Sequence, residues 1–373
     1  MKLLYCVLIL SIVSGDPAQA ETLDWKAGAA KIIITPTEPM YLAGFVSREV
    51  PAEGTAMDLY AKSLAIEDRN GTRFVMVTLD LVEVTYQLRD DVVAAAREQF
   101  GLAPESLLLH CSHTHCGPEL RYTELEFMKF TDPLSKERCL RYNEFLKEKI
   151  IAVIGEAIEG LAPATISYGN ARCGFAMNRR LKSDKPTGNP YLNSPNPEAV
   201  VDHDVPVLTV READETLSAV VFGYACHNTS MNISEWHGDY AGHAQGMIEE
   251  AHPGTVALFM MGCGGDQNAY PRFGPILLLG ICFFIPSASL SPLGRGRRGF
   301  NGIGRKFFGI GPVLSVRKSV IHKTSVTRQG RIFVGSFIPL DRIGNDTGLC
   351  RCDGCFGQCD NTREIRSSRE FAQ

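Results

Sequence analysis

Short apolar, β-branched runs alternate with amphipathic stretches through the first two-thirds of the chain. Arg73–Leu81 (RFVMVTLDL) and Ser106–Cys111 (SLLLHC) read as buried strands, as do Leu217–Cys226 (LSAVVFGYAC) and Val256–Met261 (VALFMM). Leu88–Phe100 places Leu88, Val92 and Ala95 on one helical face and stops at Gly101, a residue suited to a left-handed helix end. Lys136–Leu161 predicts a long amphipathic helix with Leu140, Phe145, Ile150, Val153 and Ile154 inward, stopped by Gly160 and Pro163. Asp239–Ala251 predicts a third helix, with Asp239 near its N-cap. The alternation predicts an α/β domain of layered β-sheets covered by helices over residues 25–272. Thr187–Pro197, rich in Pro and Asn, reads as a surface loop, and no internal repeat is visible.

The periodicity ends at Arg272. Phe273–Gly294 has no charged residue and is broken by Pro275, Pro286 and Pro292, and Gly294–Gly311 is rich in Gly and Arg. The formal net charge of −4 therefore divides unevenly. Residues 273–373 carry 15 Lys and Arg against 6 Asp and Glu, and residues 1–272 carry 23 against 36. An acidic, well-patterned region argues against a nucleic-acid-binding protein. The basic tail has three readings: a membrane segment over Phe273–Leu293, a small cysteine-rich or zinc-binding end built on Cys350, Cys352, Cys355 and Cys359, or a frameshifted segment out of register with the reading frame of the domain before it. Residues 21–272 are then one α/β domain, expected to be cut short where the periodicity stops, and residues 273–373 a basic tail of unassigned structure.

At the other end, Met1–Ala20 has Lys2, an apolar run from Leu3 to Val13, and the cleavage pattern Ala18-Gln19-Ala20. This predicts a signal peptide and a secreted or periplasmic protein. Disulfides are permitted there, but their pairing cannot be read from the spacing of the cysteines.

Polar groups gather directly after the predicted strands, where open α/β sheets place their sites. The first cluster runs His110-Cys111-Ser112-His113-Thr114-His115-Cys116-Gly117-Pro118. In extended backbone His113 and His115 share one face, an arrangement suited to chelation or paired catalysis. The second is Cys226-His227 with Ser230-Met231-Asn232, followed by Gly238-Asp239-Tyr240; the third is Met261-Gly262-Cys263-Gly264-Gly265-Asp266-Gln267-Asn268. Asn178-Arg179-Arg180 adds a guanidinium able to bind an oxyanion. Asp80, which closes a strand, reads as a turn residue or an outer carboxylate, and Asp239 and Asp266 are candidate oxygen ligands. Imidazoles from two strand ends suit Zn²⁺ and metal-assisted hydrolysis.

These motifs resemble those of the neutral/alkaline, non-lysosomal ceramidases. His113-Thr114-His115-Cys116-Gly117-Pro118 is similar to that family's H-T-H-S-G-P. His227 with Ser230-Met231-Asn232 and Gly238-Asp239-Tyr240-Ala241-Gly242 is similar to its second histidine motif, and Asn178-Arg179 to its N-R motif. Ala27–Pro36, Leu42–Phe45 and Leu59–Lys62 extend the resemblance over about residues 25–272. The resemblance implies a zinc amidase that cleaves ceramide, or a related lipid amide, to an amine and a fatty acid, with peripheral membrane contact. It assigns His113 and His227 to the metal, His115 to contact with the substrate or its oxyanion and Arg179 to substrate binding; His115, Arg179 and, from the third cluster, Asp266 are the candidate catalytic residues. Asn178 and Asn268 fall to the substrate. The family's strand end G-D-V-S-P-N carries a catalytic Ser; here Gly265–Tyr270 has none, and the later Glu and Tyr ligands have no counterpart after Phe273. An inactive relative and a membrane-associated lipid-binding protein are the alternative readings.

Overall fold

The computed structural model describes residues 24–45, 48–122, 133–183, 190–270 and the backbone of 289–292. The expected signal peptide and nearly all of the basic tail lie outside these residues. Nine described strands form the main sheet, eight of them in one continuous order: β1 (Trp25–Ile33), β2 (Tyr60–Asp68), β3 (Arg73–Leu79), β4 (Leu107–Cys111), β5 (Ala162–Arg172), β6 (Asp204–Glu212), β7 (Leu217–Tyr224) and β8 (Val256–Met261). Three helices accompany them: α1 (Tyr86–Phe100), α2 (Pro133–Glu159) and α3 (Asp239–Ala251).

The strand order is β8-β7-β6-β5-β1-β2-β3-β4. The two outermost pairs, β7 with β8 and β3 with β4, are parallel and each is joined through a helix; the inner pairs are antiparallel. Each half therefore runs strand, strand, strand, helix, strand, so the topology repeats although the sequence does not. The halves meet where Trp25–Ala27 of β1 pairs with Ala162–Ala164 of β5. Beyond that corner β1 leaves β5, and Ser289–Pro292 pairs with Ser167–Asn170 of β5.

Side-chain alternation sorts the core into layers. Leu64, Ile66 and Met76 from one half pack with Leu208, Val221, Leu258 and Met260 from the other, so the folded-over sheet buries one face of each half on the other. The opposite faces are covered by α1 and α2 on one side and by α3 on the other. The expectation of layered sheets under helices is borne out, with one adjustment. The alternation of strands and helices is confined to the outer strands, and the antiparallel inner ones connect without helices.

Local chemistry accounts for the helix ends. Thr85 caps α1, its Oγ accepting from Leu88 N at 3.3 Å, and Gly101 closes it at φ 67°. Leu88, Val92 and Ala96 are fully buried, with Ala95 at the margin. In α2, Ile150, Val153 and Ile154 are fully buried, but Leu140 faces solvent. The Pro- and Asn-rich loop contains a short strand, Tyr191–Asn193, paired with Arg180–Lys182.

One buried ion pair ties α3 to the far half of the sheet. Lys62 Nζ, almost wholly buried, bonds Glu249 Oε1 at 2.6 Å and Ala257 O at 3.0 Å, and Lys31 reaches Glu249 Oε2 at 2.6 Å. Burial pulls the Lys62 ammonium down, against Glu249. Burial raises Glu249, but the two lysines more than offset it and hold the carboxyl below its ordinary value. Lys62→Met is expected to cost about 3 kcal/mol, because the Glu249 carboxylate loses its buried partner. The double variant Lys62→Met with Glu249→Met should recover most of that loss, read as urea midpoints.

Candidate metal centre

The three histidines of the two motifs converge just past the C-terminal ends of β4 and β7. Their ligand atoms lie within 4.8 Å of one another. His113 Nε2 is 3.1 Å from His227 Nε2 and 3.3 Å from His115 Nε2. The motif does not achieve this as an extended strand. His113 adopts φ 61°, in the left-handed region. That kink lets neighbouring odd positions turn their rings together. Backbone bonds from Ser112 N to Leu79 O, His113 N to Leu81 O and His115 N to Asn228 O hold the motif between the β3 and β7 ends.

Each outer ring is oriented by a carbonyl. His113 Nδ1 lies 2.9 Å from Val82 O, and His227 Nδ1 lies 3.0 Å from Gly264 O. A carbonyl only accepts, so both Nδ1 atoms carry the proton and both Nε2 atoms present lone pairs to the same point. Lone pairs 3.1 Å apart repel unless a cation or a proton joins them. Burial pulls all three imidazoles below their ordinary value, which disfavours the proton. Neutral, pre-oriented imidazoles are the donor set of a borderline transition-metal ion, so the residues present fit a metal.

His115 differs. Its Nδ1 is buried and meets no hydrogen-bond partner among the described residues. No carbonyl fixes its tautomer. Its ring is instead held by shape: Gly44, at φ 85°, lies so close that a Cβ there would stand 2.3 Å from the imidazole Cγ and Nδ1. Gly44→Ala is expected to cost about 1–3 kcal/mol of backbone strain. It should displace His115 alone among the three rings, as read from imidazole NMR signals of the purified chain.

Arg179 closes another side. Its guanidinium donates to Gly265 O at 2.7 and 3.0 Å and to Asn268 Oδ1 at 3.3 Å, and one nitrogen stands 3.5 Å from His227 Nε2. Thr229 Oγ1 also donates to Asn268 Oδ1, at 3.3 Å. Asn268 thus sits among the site groups. Asn178 and Asp266 bond to each other and to the backbone around them. Asn178 Nδ2 donates to Val200 O and to Asp266 Oδ2, both at 3.1 Å, and Asn178 Oδ1 accepts from Arg180 N. Gly264 must be glycine to present its carbonyl to His227: a Cβ there would lie 2.6 Å from Cys226 N.

The other carboxylates read as candidates have settled partners. Gly238 is the N-cap of α3 and Asp239, as expected, stands beside it in the first turn. Asp239 is fully buried and accepts from Ser230 N and Oγ, Met231 N and Tyr240 N, so its oxygens clamp the loop after His227 rather than face the cluster. Asp80 opens the bend that follows β3. It is buried, accepts from Tyr60 N at 3.0 Å, and burial pushes its carboxyl up. All six described cysteines are unpaired. No described helix is long and apolar enough to cross a membrane.

The Val82 and Gly264 carbonyls that orient the outer rings carry no sequence signal, because a backbone carbonyl has no residue identity.

Comparisons with known proteins point the same way as this geometry. The family profile described as neutral/alkaline non-lysosomal ceramidase, N-terminal, matches residues 25–265. The chain is 25% identical over 242 residues to Neutral ceramidase B of Dictyostelium discoideum, covering 58% of this chain and 31% of that protein. A solved neutral ceramidase from Pseudomonas aeruginosa superposes with a TM-score of 0.58 at 23% identity, over 70% of this chain and 44% of that one. A structure described as ceramidase complexed with C2 gives 0.55 at 23% identity, over 66% and 39%. These two likenesses concern the fold. The chain spans less than half the length of each of these relatives.

Proposed function

The chain belongs to the neutral/alkaline non-lysosomal ceramidase family, matching its N-terminal domain, and from that footing we propose that it is a zinc-dependent hydrolase of N-acyl amides. The substrate class is ceramide, cleaved to sphingosine and fatty acid, or a related lipid amide. One observation carries the reading: two buried imidazoles with pinned Nδ1 protons aim lone pairs at one point, beside a third imidazole whose tautomer is free. His113 and His227 would hold the zinc, which supplies Lewis-acid chemistry when bound. His115, unfixed at Nδ1, takes a proton from the attacking water and returns it to the leaving amine as the C–N bond breaks. The Arg179 guanidinium offsets negative charge that grows on the carbonyl oxygen. The turn that carries a serine in the ceramidases presents Asn268 here, which favours the wider class of lipid amides over ceramide alone.

The test is hydrolysis by the purified full chain supplied with zinc, using short-chain N-acyl sphingosine and simpler N-acyl amines. Fatty acid release, abolished by a chelator and restored by zinc, supports the reading. Absence of release from every amide, with zinc bound, would sink it.

A further inference from the structure

Outside the residues already given roles, the group that contacts the site from most directions is Arg48. Its guanidinium is buried. Nη1 donates to the carbonyl of His115 and, at 3.5 Å, to that of Ala43. Nη2 donates to Ile233 O at 2.8 Å and meets Cys116 Sγ at 3.4 Å. One side chain therefore fastens three loops together: the Gly44 loop, the loop of the first histidine motif and the loop that follows the second. The Phe45 ring covers the guanidinium, 4.7 Å from its centroid, and stands edge-on to His115 at 4.8 Å. A planar fork with several donors suits such a position, and an ammonium does not reproduce it.

This arrangement answers a question left by the histidines. His113 and His227 are oriented by carbonyls at Nδ1, and His115 is not. We propose that Arg48 is the positioning residue for His115: it fixes the His115 backbone and, through Phe45 and the Gly44 loop, the slot in which the imidazole stands. The proposal rests on the reading of His115 as the proton-transfer group. The outer histidines take no support from Arg48, so its effect should separate turnover from metal binding.

Two measurements on the zinc-loaded full chain test this. The first is carbethoxylation by diethyl pyrocarbonate, with each histidine's rate followed by peptide mass spectrometry and His203 as internal reference. In Arg48→Met the rate at His115 should rise about tenfold, as expected of a group released from close packing, while His113 and His227 keep their rates. The second is hydrolysis: kcat should fall about a hundredfold, in line with the cost of a small misplacement, with KM and zinc content little changed. Arg48→Lys, which keeps the charge and a single donor nitrogen, should recover part of both effects, and it stands in if Arg48→Met does not fold. An unchanged His115 rate overturns the proposal, as does equal acceleration at all three histidines or loss of zinc in parallel with turnover. If the wild type hydrolyses no amide, the functional reading fails, and the labelling rates still decide the role of Arg48.

Discussion

His113→Ala and His227→Ala are expected to leave the chain without bound metal, whereas His115→Ala should retain it and lose turnover. The asymmetry follows from the hydrogen bonds. The first two rings have their Nδ1 protons held by Val82 O and Gly264 O, so each offers one lone pair of fixed direction. Deleting either removes a ligand, and the loss of affinity should exceed the roughly 10–100-fold typical of losing only an outer partner. His115 lacks such a carbonyl and stands beside the pair. Its removal should cost about 10²–10⁴-fold in turnover, the usual worth of a positioned acid–base group, with metal content unchanged. Metal analysis and kinetics on the three purified variants check this, and equal metal loss in all three would make His115 a ligand instead.

Acid should unfold the metal-free chain early. Burial pulls His110 down to about 4, and burial with nearby His243 pulls His237 to about 4 as well. In the unfolded chain both would titrate near 6.5. Between those values the unfolded chain binds protons that the folded one refuses. Stability is therefore full above about pH 6.5 and is lost as the pH falls toward 4. Between about pH 7 and pH 5 His110 alone should cost about 2 kcal/mol, and the pair about 3 kcal/mol once water near His237 is allowed for. That is a large share of a typical total of about 5–15 kcal/mol. Urea midpoints of the metal-free chain at the two pH values measure it. His110→Gln should flatten the dependence; an equally steep slope in that variant would place the acid lability elsewhere.

Much of the fold was legible because its outer strands and helices obey simple rules. Val256–Met261 and Asp239–Ala251 coincide with the periodicity-based boundaries, and α1 ends at the glycine expected to end it. The inner strands were harder. Trp25–Ile33 (WKAGAAKII) is rich in alanine, which carries little strand signal, and it is held as a strand by pairing with β2 along its whole length, with Gly28 lying where a Cβ would meet the backbone of Ala157 and Gly160. The repeat of topology was invisible because the halves share a connection pattern and not residues. At the site, residue types pointed to the right strand ends, and the arrangement between them did not show. A left-handed residue inside the histidine motif defeats a reading based on extended spacing. Asp239 and Asp80 looked like candidates for chemistry, yet tertiary contacts occupy them in holding loops. Arg48, distant in sequence from both motifs, gives no local pattern from which its three-loop contact could be inferred.

The central claim, a metal held by His113 and His227, is tested most directly by elemental mass spectrometry of the purified full chain after zinc loading and dialysis, with His227→Ala alongside. About one zinc per chain in the wild type and none in the variant is the expected result. A wild-type chain without stoichiometric zinc, or an equal content in both proteins, would contradict the account.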